Sequence, residues 1–124
     1  MTINCKGELV SMETPRVMGI LNYTPDSFYE GSKVTKTTVL QRAEQMLMQG
    51  ADFIDVGGYS TRPNAPEVTE KEELNRVLFV VRSLVKTFPE IRISVDTFRA
   101  EVARQTLDEG ACMINEQRDR KSVV

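Results

Sequence analysis

Chemistry in this chain falls to carboxylates, carboxamides, hydroxyls and arginine. It contains no histidine, and so lacks the commonest general base and metal ligand. Three segments carry such groups directly after short apolar runs. The first is Asn22-Tyr23-Thr24-Pro25-Asp26-Ser27-Phe28. A carboxamide at a strand mouth can take a phosphate oxygen, a water or a metal, while the same stretch can also be a loop bonded to itself through Thr24, Asp26 and Ser27. The second runs from Asp55 through Gly57-Gly58-Tyr59-Ser60-Thr61-Arg62-Pro63-Asn64-Ala65. Its paired glycines allow a sharp turn or close approach to a ligand. Neither GxGxxG nor GxxxxGK is present, so neither a dinucleotide site nor a P-loop is indicated. Arg62 beside Thr61 could bind an anion or be an ordinary surface arginine. Asp55, inside an apolar strand, must be paired or serve function. The third is Asp96, followed by Thr97-Phe98-Arg99. Its carboxylate could accept two N–H bonds from the amidine-like edge of a heterocycle, or cap the next helix. Thr97 can supply that cap, which makes Asp96 the better functional candidate. Asn115 ends a fourth run in the corresponding place, and its amide could read the same heterocycle.

The elements that must position these groups alternate along the chain. Four apolar runs, Val17 to Leu21, Phe53 to Val56, Ile91 to Val95 and Cys112 to Ile114, are rich in branched residues and lack clean alternation. They read as buried parallel strands. Between the first two, Val39, Leu40, Ala43, Met46 and Leu47 share one face at helical spacing, and Gly50 provides a left-handed cap. Thr69-Glu70-Lys71-Glu72 is a capping box. The helix it opens presents Leu74, Val77, Leu78, Val81, Leu84 and Val85 and stops before Pro89. A third helix, about Arg99 to Glu109, presents Val102, Ala103 and Leu107 before Gly110. The joints at Gly50-Ala51 and Gly110-Ala111 share one loop design, and residues 2–10, with Gly7 in the middle, read as a hairpin. Strict strand–helix alternation means an α/β fold with a parallel sheet. A doubly wound sheet and a barrel both fit. Polar residues at the strand C-termini favour the barrel, where functional groups gather at that end.

At 124 residues the chain suffices for one domain with a real core. Sixteen basic and eighteen acidic residues leave a net charge of −2, which gives no electrostatic case for nucleic acid or an anionic membrane as main partner. The start has no basic cluster and apolar region of a secretory signal. No apolar run approaches the roughly 18 to 20 residues that span a bilayer. Cys5 and Cys112 lie far apart in sequence and form no CxxC or metal spacing. Both read as reduced packing residues of a cytoplasmic protein.

Together the motifs resemble one family. "VMGILNYTPDSF" is similar to the first signature of the dihydropteroate synthases, and "GADFIDVGGYSTRPNAPEVTEKEELNRV" to the second. "ISVDTFRAEVARQTLDEGACMIN" resembles the stretch that follows in these enzymes. The likeness runs from about Val17 to Asn115 without a gap, and the leading hairpin also fits. It implies the first half of a (β/α)8 barrel, strands one to four with their helices. The implied reaction joins a pterin carrying a methylene diphosphate to p-aminobenzoate, releasing diphosphate with Mg²⁺ assistance, on the route to folate; sulfonamides compete for the p-aminobenzoate site. Carried over by motif, Asn22 would help hold Mg²⁺ and diphosphate. Asp96 and Asn115 would bind the pterin. Thr61, Arg62 and Pro63 would lie on the p-aminobenzoate loop, with Phe28 bordering that pocket. Asp26 would organise the first loop and contribute to catalysis, and Asp55 is expected as an inward-facing structural acid. Full-length members are expected to be homodimers.

The chain also departs from the family pattern. Tyr59 stands where "GGESTRP" has glutamate, Asn64 where "RPGA" has glycine, and Tyr23 replaces a frequent valine. After Asn115 the polar, basic run 116–124 is unlike a fifth β/α unit. The expected organisation is therefore a partial barrel over 1–115 and a non-family tail over 116–124, artefactual or disordered, with no synthase activity from this stretch alone. Two other functions remain open. One is a pterin-binding methyltransferase barrel, against which the Ser60-Thr61-Arg62-Pro63 loop argues. The other is a non-catalytic half-barrel interaction module.

Overall fold

The computed structural model describes residues 2–5, 8–11, 16–23, 36–58 and 67–115. Two short strands, β1 (Thr2–Cys5) and β2 (Glu8–Ser11), pair antiparallel as the expected hairpin, with Thr2 opposite Ser11 and Cys5 opposite Glu8. The rest alternates: β3 (Met18–Asn22), α1 (Lys36–Met48), β4 (Phe53–Gly57), α2 (Glu70–Thr87), β5 (Ile93–Asp96), α3 (Ala100–Asp108) and β6 (Met113–Asn115). The four later strands form one parallel sheet in the order β3-β4-β5-β6. Each strand lies beside its successor and the order never reverses. A doubly wound sheet needs such a reversal, so the winding is that of a barrel segment.

Alternation along the strands divides the sheet into two faces. Leu21, Ile54, Val56, Ile93 and Val95 are buried in one cluster with Val39 and Ala43 of α1 and Val77, Val80, Val81 and Leu84 of α2. Fully burying each valine, leucine or isoleucine side chain contributes about 1.5–3 kcal/mol, and this face fixes the helices on the sheet. The other face carries Met18, Ile20, Asn22, Phe53, Asp55, Gly57, Ser94, Asp96, Met113 and Asn115, the residues in between, with Phe53 fully buried against Met18 and Met113. Ile20, on edge strand β3, is 49% exposed.

The two αβ joints are built alike. Gly50 and Gly110 have φ of 102° and 120°, the left-handed region that glycine enters without a Cβ penalty. At the first, Gly50 N–H donates to the Leu47 carbonyl (3.1 Å) and Ala51 N–H to that of Met46 (3.0 Å). At the second, Gly110 N–H donates to Leu107 (3.2 Å) and Ala111 N–H to Thr106 (3.0 Å). Each pair closes the last helical turn by the same pattern. The capping box also forms: Glu72 N–H donates to Thr69 Oγ1 (3.1 Å) and Thr69 N–H to Glu72 Oε1 (3.2 Å).

Three expectations are corrected. Cys112 is disulfide-bonded and not a thiol; distance along the sequence does not limit which side chains a fold brings together. Leu107 is 43% exposed, while Val102 and Thr106 are buried. Thr106 can be buried because its hydroxyl bonds to the carbonyls of Val102 (2.8 Å) and Ala103 (3.0 Å). Thr97 does not cap α3: the cap position is Arg99, without a side-chain cap bond. Instead Thr97 Oγ1 accepts from Arg99 N–H at 3.2 Å.

Candidate functional site

Register brings three of the sequence candidates into one row. Asn22 pairs with Gly57, Gly57 with Asp96 and Asp96 with Asn115. All four are the last residues of their strands, and all lie on the face away from the helices. Gly57 makes the row a cleft. A Cβ there would lie 2.8 Å from Asn22 Oδ1, 3.6 Å from Asp96 Cβ and 3.7 Å from Asp96 Oδ2. The carboxamide and the carboxylate thus converge over bare backbone. Asp96 is buried, with Asn22 and Asn115 half-buried. An ionised carboxylate only accepts, whereas each carboxamide both donates and accepts. Held in a line, they suit the edge of a flat heterocycle with several N–H and acceptor positions.

One step back along the strands lies a second row: Ile20, Asp55, Ser94 and Met113. Asp55 and Ser94 are buried. Asp55 therefore stands on the open face, one row below the cleft.

A second group was not found from sequence. Glu73, on α2, is fully buried, and Arg99 Nη1 donates to its Oε1 at 2.8 Å. Arg99 Nη2 donates to the Val68 carbonyl (2.7 Å), and Arg76 Nη1 to the Gly58 carbonyl (2.9 Å). Gly58 lies directly on the first turns of α2: a Cβ there would meet Val77 Cγ2 at 3.0 Å and the Glu73 carbonyl oxygen at 3.3 Å. The two arginines thereby tie Gly58, which borders 59–66, and Val68, two residues past its end, to α2. The same Arg99 leads back to the cleft. Its N–H bonds Thr97 Oγ1, and Thr97 N–H donates to the Asn115 carbonyl at 3.2 Å. The signal was present in sequence. Glu73 is at helical spacing from Val77, Val80, Val81 and Leu84, so it belongs to the apolar stripe, where a charge must be paired.

Asp26, Phe28, Thr61, Arg62 and Pro63 lie outside the described residues, as do Tyr59, Asn64 and the run 116–124. Among the described residues no group of three His, Cys, Asp or Glu could hold a metal ion. Among them, too, no helix is long and apolar enough to cross a membrane.

The comparisons with known proteins agree with this geometry. The family model described as pterin binding enzyme matches residues 18–122. A dihydropteroate synthase of Staphylococcus haemolyticus is 50% identical over 107 residues, which cover 86% of this chain and 39% of that relative. The dihydropteroate synthase of Yersinia pestis, solved as a sulfonamide drug complex, superposes with a TM-score of 0.81 at 45% identity, covering 96% of this chain and 43% of that one. That of Xanthomonas albilineans, solved with 4-aminobenzoic acid, gives 0.79 at 42% identity, covering 94% and 44%. The chain thus spans about two fifths of the length of these relatives, and its sheet corresponds to part of their barrels. With the family model matched from the first sheet strand past the last, the chain belongs to the pterin binding enzymes.

Proposed function

We propose that this chain supplies the pterin side of a dihydropteroate synthase site. The observation that carries the reading is the row Asn22, Gly57, Asp96 and Asn115 at the strand ends, with a cleft over Gly57. The Asp96 carboxylate accepts N–H bonds from the pterin, a charge-assisted and directional contact, and the Asn115 amide reads an adjacent position. The names of the relatives support the reaction, and the ligands of the Yersinia and Xanthomonas enzymes support p-aminobenzoate as second substrate.

In that reaction the C–O bond between the pterin's methylene carbon and the diphosphate breaks, and its electron pair leaves with the diphosphate. The cation left behind is spread over the pterin and lies against the Asp96 carboxylate, whose charge favours it. The arylamine nitrogen then gives its lone pair to the methylene carbon, forming C–N and releasing a proton. Positioning supplies most of the catalysis. Thr61, Arg62, Pro63 and Phe28 serve the p-aminobenzoate side, and Asp26 orders the first loop.

Asn22 is the residue for Mg²⁺. This ion takes hard oxygen donors and keeps waters and substrate phosphates in its shell. The Asn22 carboxamide oxygen at the strand mouth is a donor of that kind. Mg²⁺ held there together with the diphosphate would offset the leaving group's charge.

The test uses the full polypeptide that the gene encodes. Calorimetric titration with pteroic acid should give measurable binding, weakened by about 10- to 100-fold in Asp96→Ala, the worth of one or two hydrogen bonds to a charged group. Diphosphate release from the pterin diphosphate should accelerate when 4-aminobenzoic acid is added. Equal affinity of the wild type and Asp96→Ala would end the proposal.

A further inference from the structure

We infer that Ser94 is a ligand-contacting residue of the same site, bonding the deeper end of the heterocycle that Asp96 and Asn115 hold. The inference rests on the pterin reading above. Three observations lead to it. Ser94 precedes Asp96 by two residues on β5, so the two side chains share the open face. Ile93 and Val95, its neighbours, are buried in the helix-side cluster, which confirms the alternation. Ser94 itself is 0% exposed, and among the described residues its Oγ has no hydrogen-bond partner.

Two other buried hydroxyls among the described residues are engaged. Thr106 Oγ1 bonds two carbonyls of its own helix, and Thr97 Oγ1 accepts from Arg99 N–H. A strand offers no such local carbonyl, because its own backbone groups pair laterally. A hydroxyl buried there without a partner costs stability, and alanine would fill the place without that cost. The orphan therefore points to a group that arrives from outside.

Spacing identifies the kind of group. Two residues along a strand advance about 6–7 Å, roughly the width of a fused two-ring heterocycle. A ligand whose near edge meets Asp96 and Asn115 reaches the Ser94 level with its far edge. A hydroxyl both donates and accepts, so it suits an oxo group or a ring nitrogen there. The ligand class is a planar bicyclic heterocycle with an amide-like edge.

The test separates this role from packing by opposite signs. In the full polypeptide, Ser94→Ala should leave the unfolding midpoint without ligand unchanged or raise it, since an unsatisfied polar group is removed. The same variant should bind pteroic acid about five- to tenfold more weakly, the worth of one neutral hydrogen bond. Unchanged affinity in Ser94→Ala, with the wild type binding, overturns this inference and leaves the pterin reading intact. A lower midpoint with unchanged affinity assigns Ser94 to packing and also overturns it. A wild type that does not bind pteroic acid overturns both.

Discussion

The two faces of the four-stranded sheet are made from alternate residues of the same strands, yet they follow opposite rules. Toward the helices the strands present Leu21, Ile54, Val56, Ile93 and Val95, buried against α1 and α2. Toward the other side they present Asn22, Asp55, Ser94, Asp96 and Asn115, together with the gap at Gly57, with apolar Met18, Phe53 and Met113 confined to the strand starts. The first face gains from excluding water. The second keeps polar groups in places where folding alone gives them little return. Stability and recognition are thus separated by one residue of register, and a one-residue slip would exchange them.

The largest effect should come from the charged pair that supports the helix side. Glu73 is fully buried, and Arg99 donates to it at 2.8 Å while also holding the Val68 carbonyl. Arg99→Ala leaves a buried carboxylate without its counter-charge and should cost about 3–5 kcal/mol. Denaturant unfolding measures this directly. Adding Glu73→Gln to Arg99→Ala should recover part of the loss, because a neutral amide is far cheaper to bury. If the double variant is no better than the single one, burial of the charge is not the cause.

That pair also shows how far the sequence could be read. The strands announced themselves as short branched runs, and the capping box placed the start of α2 to the residue. Polar residues at the run ends pointed to Asn22, Asp96 and Asn115 before any register was known. What the sequence did not carry was the lateral pairing. Only the register puts Gly57 between Asn22 and Asp96, or sets Ser94 beside Asp55. Glu73 stands near the start of α2, where a charge can also serve the helix dipole, although its spacing from Val77 places it inward. Leu107, 43% exposed, shows the converse. A hydroxyl that can bond its own helix, that of Thr106, lets the buried stripe run through Val102 and Thr106.

Adjacent glycines offer a sharper contrast between the faces. Gly58 lies against α2, where a Cβ would sit 3.0 Å from Val77 Cγ2 and 3.3 Å from a backbone oxygen of Glu73. Neither neighbour can swing away. Gly58→Ala should therefore destabilise by about 1–3 kcal/mol, the usual cost of overpacking. At Gly57 the close atom is Asn22 Oδ1, at 2.8 Å, the free end of a side chain that can rotate aside. Gly57→Ala should change stability by less than about 1 kcal/mol and yet fill the cleft, abolishing measurable pteroic acid binding. Thermal unfolding and titration of both variants would check the pair. A destabilised Gly57→Ala that still binds would mean that the open face is not the recognition face.

The smallest effect is expected on the outer surface, where α2 and α3 meet through Arg82 and Glu109. Arg82 Nε donates to Glu109 Oε1 at 3.0 Å and Nη2 to Oε2 at 3.3 Å. These bonds, and then the charge of Arg82, hold the Glu109 carboxyl below its ordinary range. A carboxyl lowered in the folded state adds stability above its unfolded value and loses it as pH falls through the folded one. The contribution is therefore present at neutral pH and fades below about pH 4.3, the ordinary glutamate value. Arg82 is exposed and Glu109 half-exposed, so water and salt screen the pair. Glu109→Gln should lower the unfolding midpoint slightly at pH 7 in low salt, and the difference should vanish at pH 3 or in 1 M salt. A difference that survives both conditions would mean that the helices are joined there by packing and not by charge.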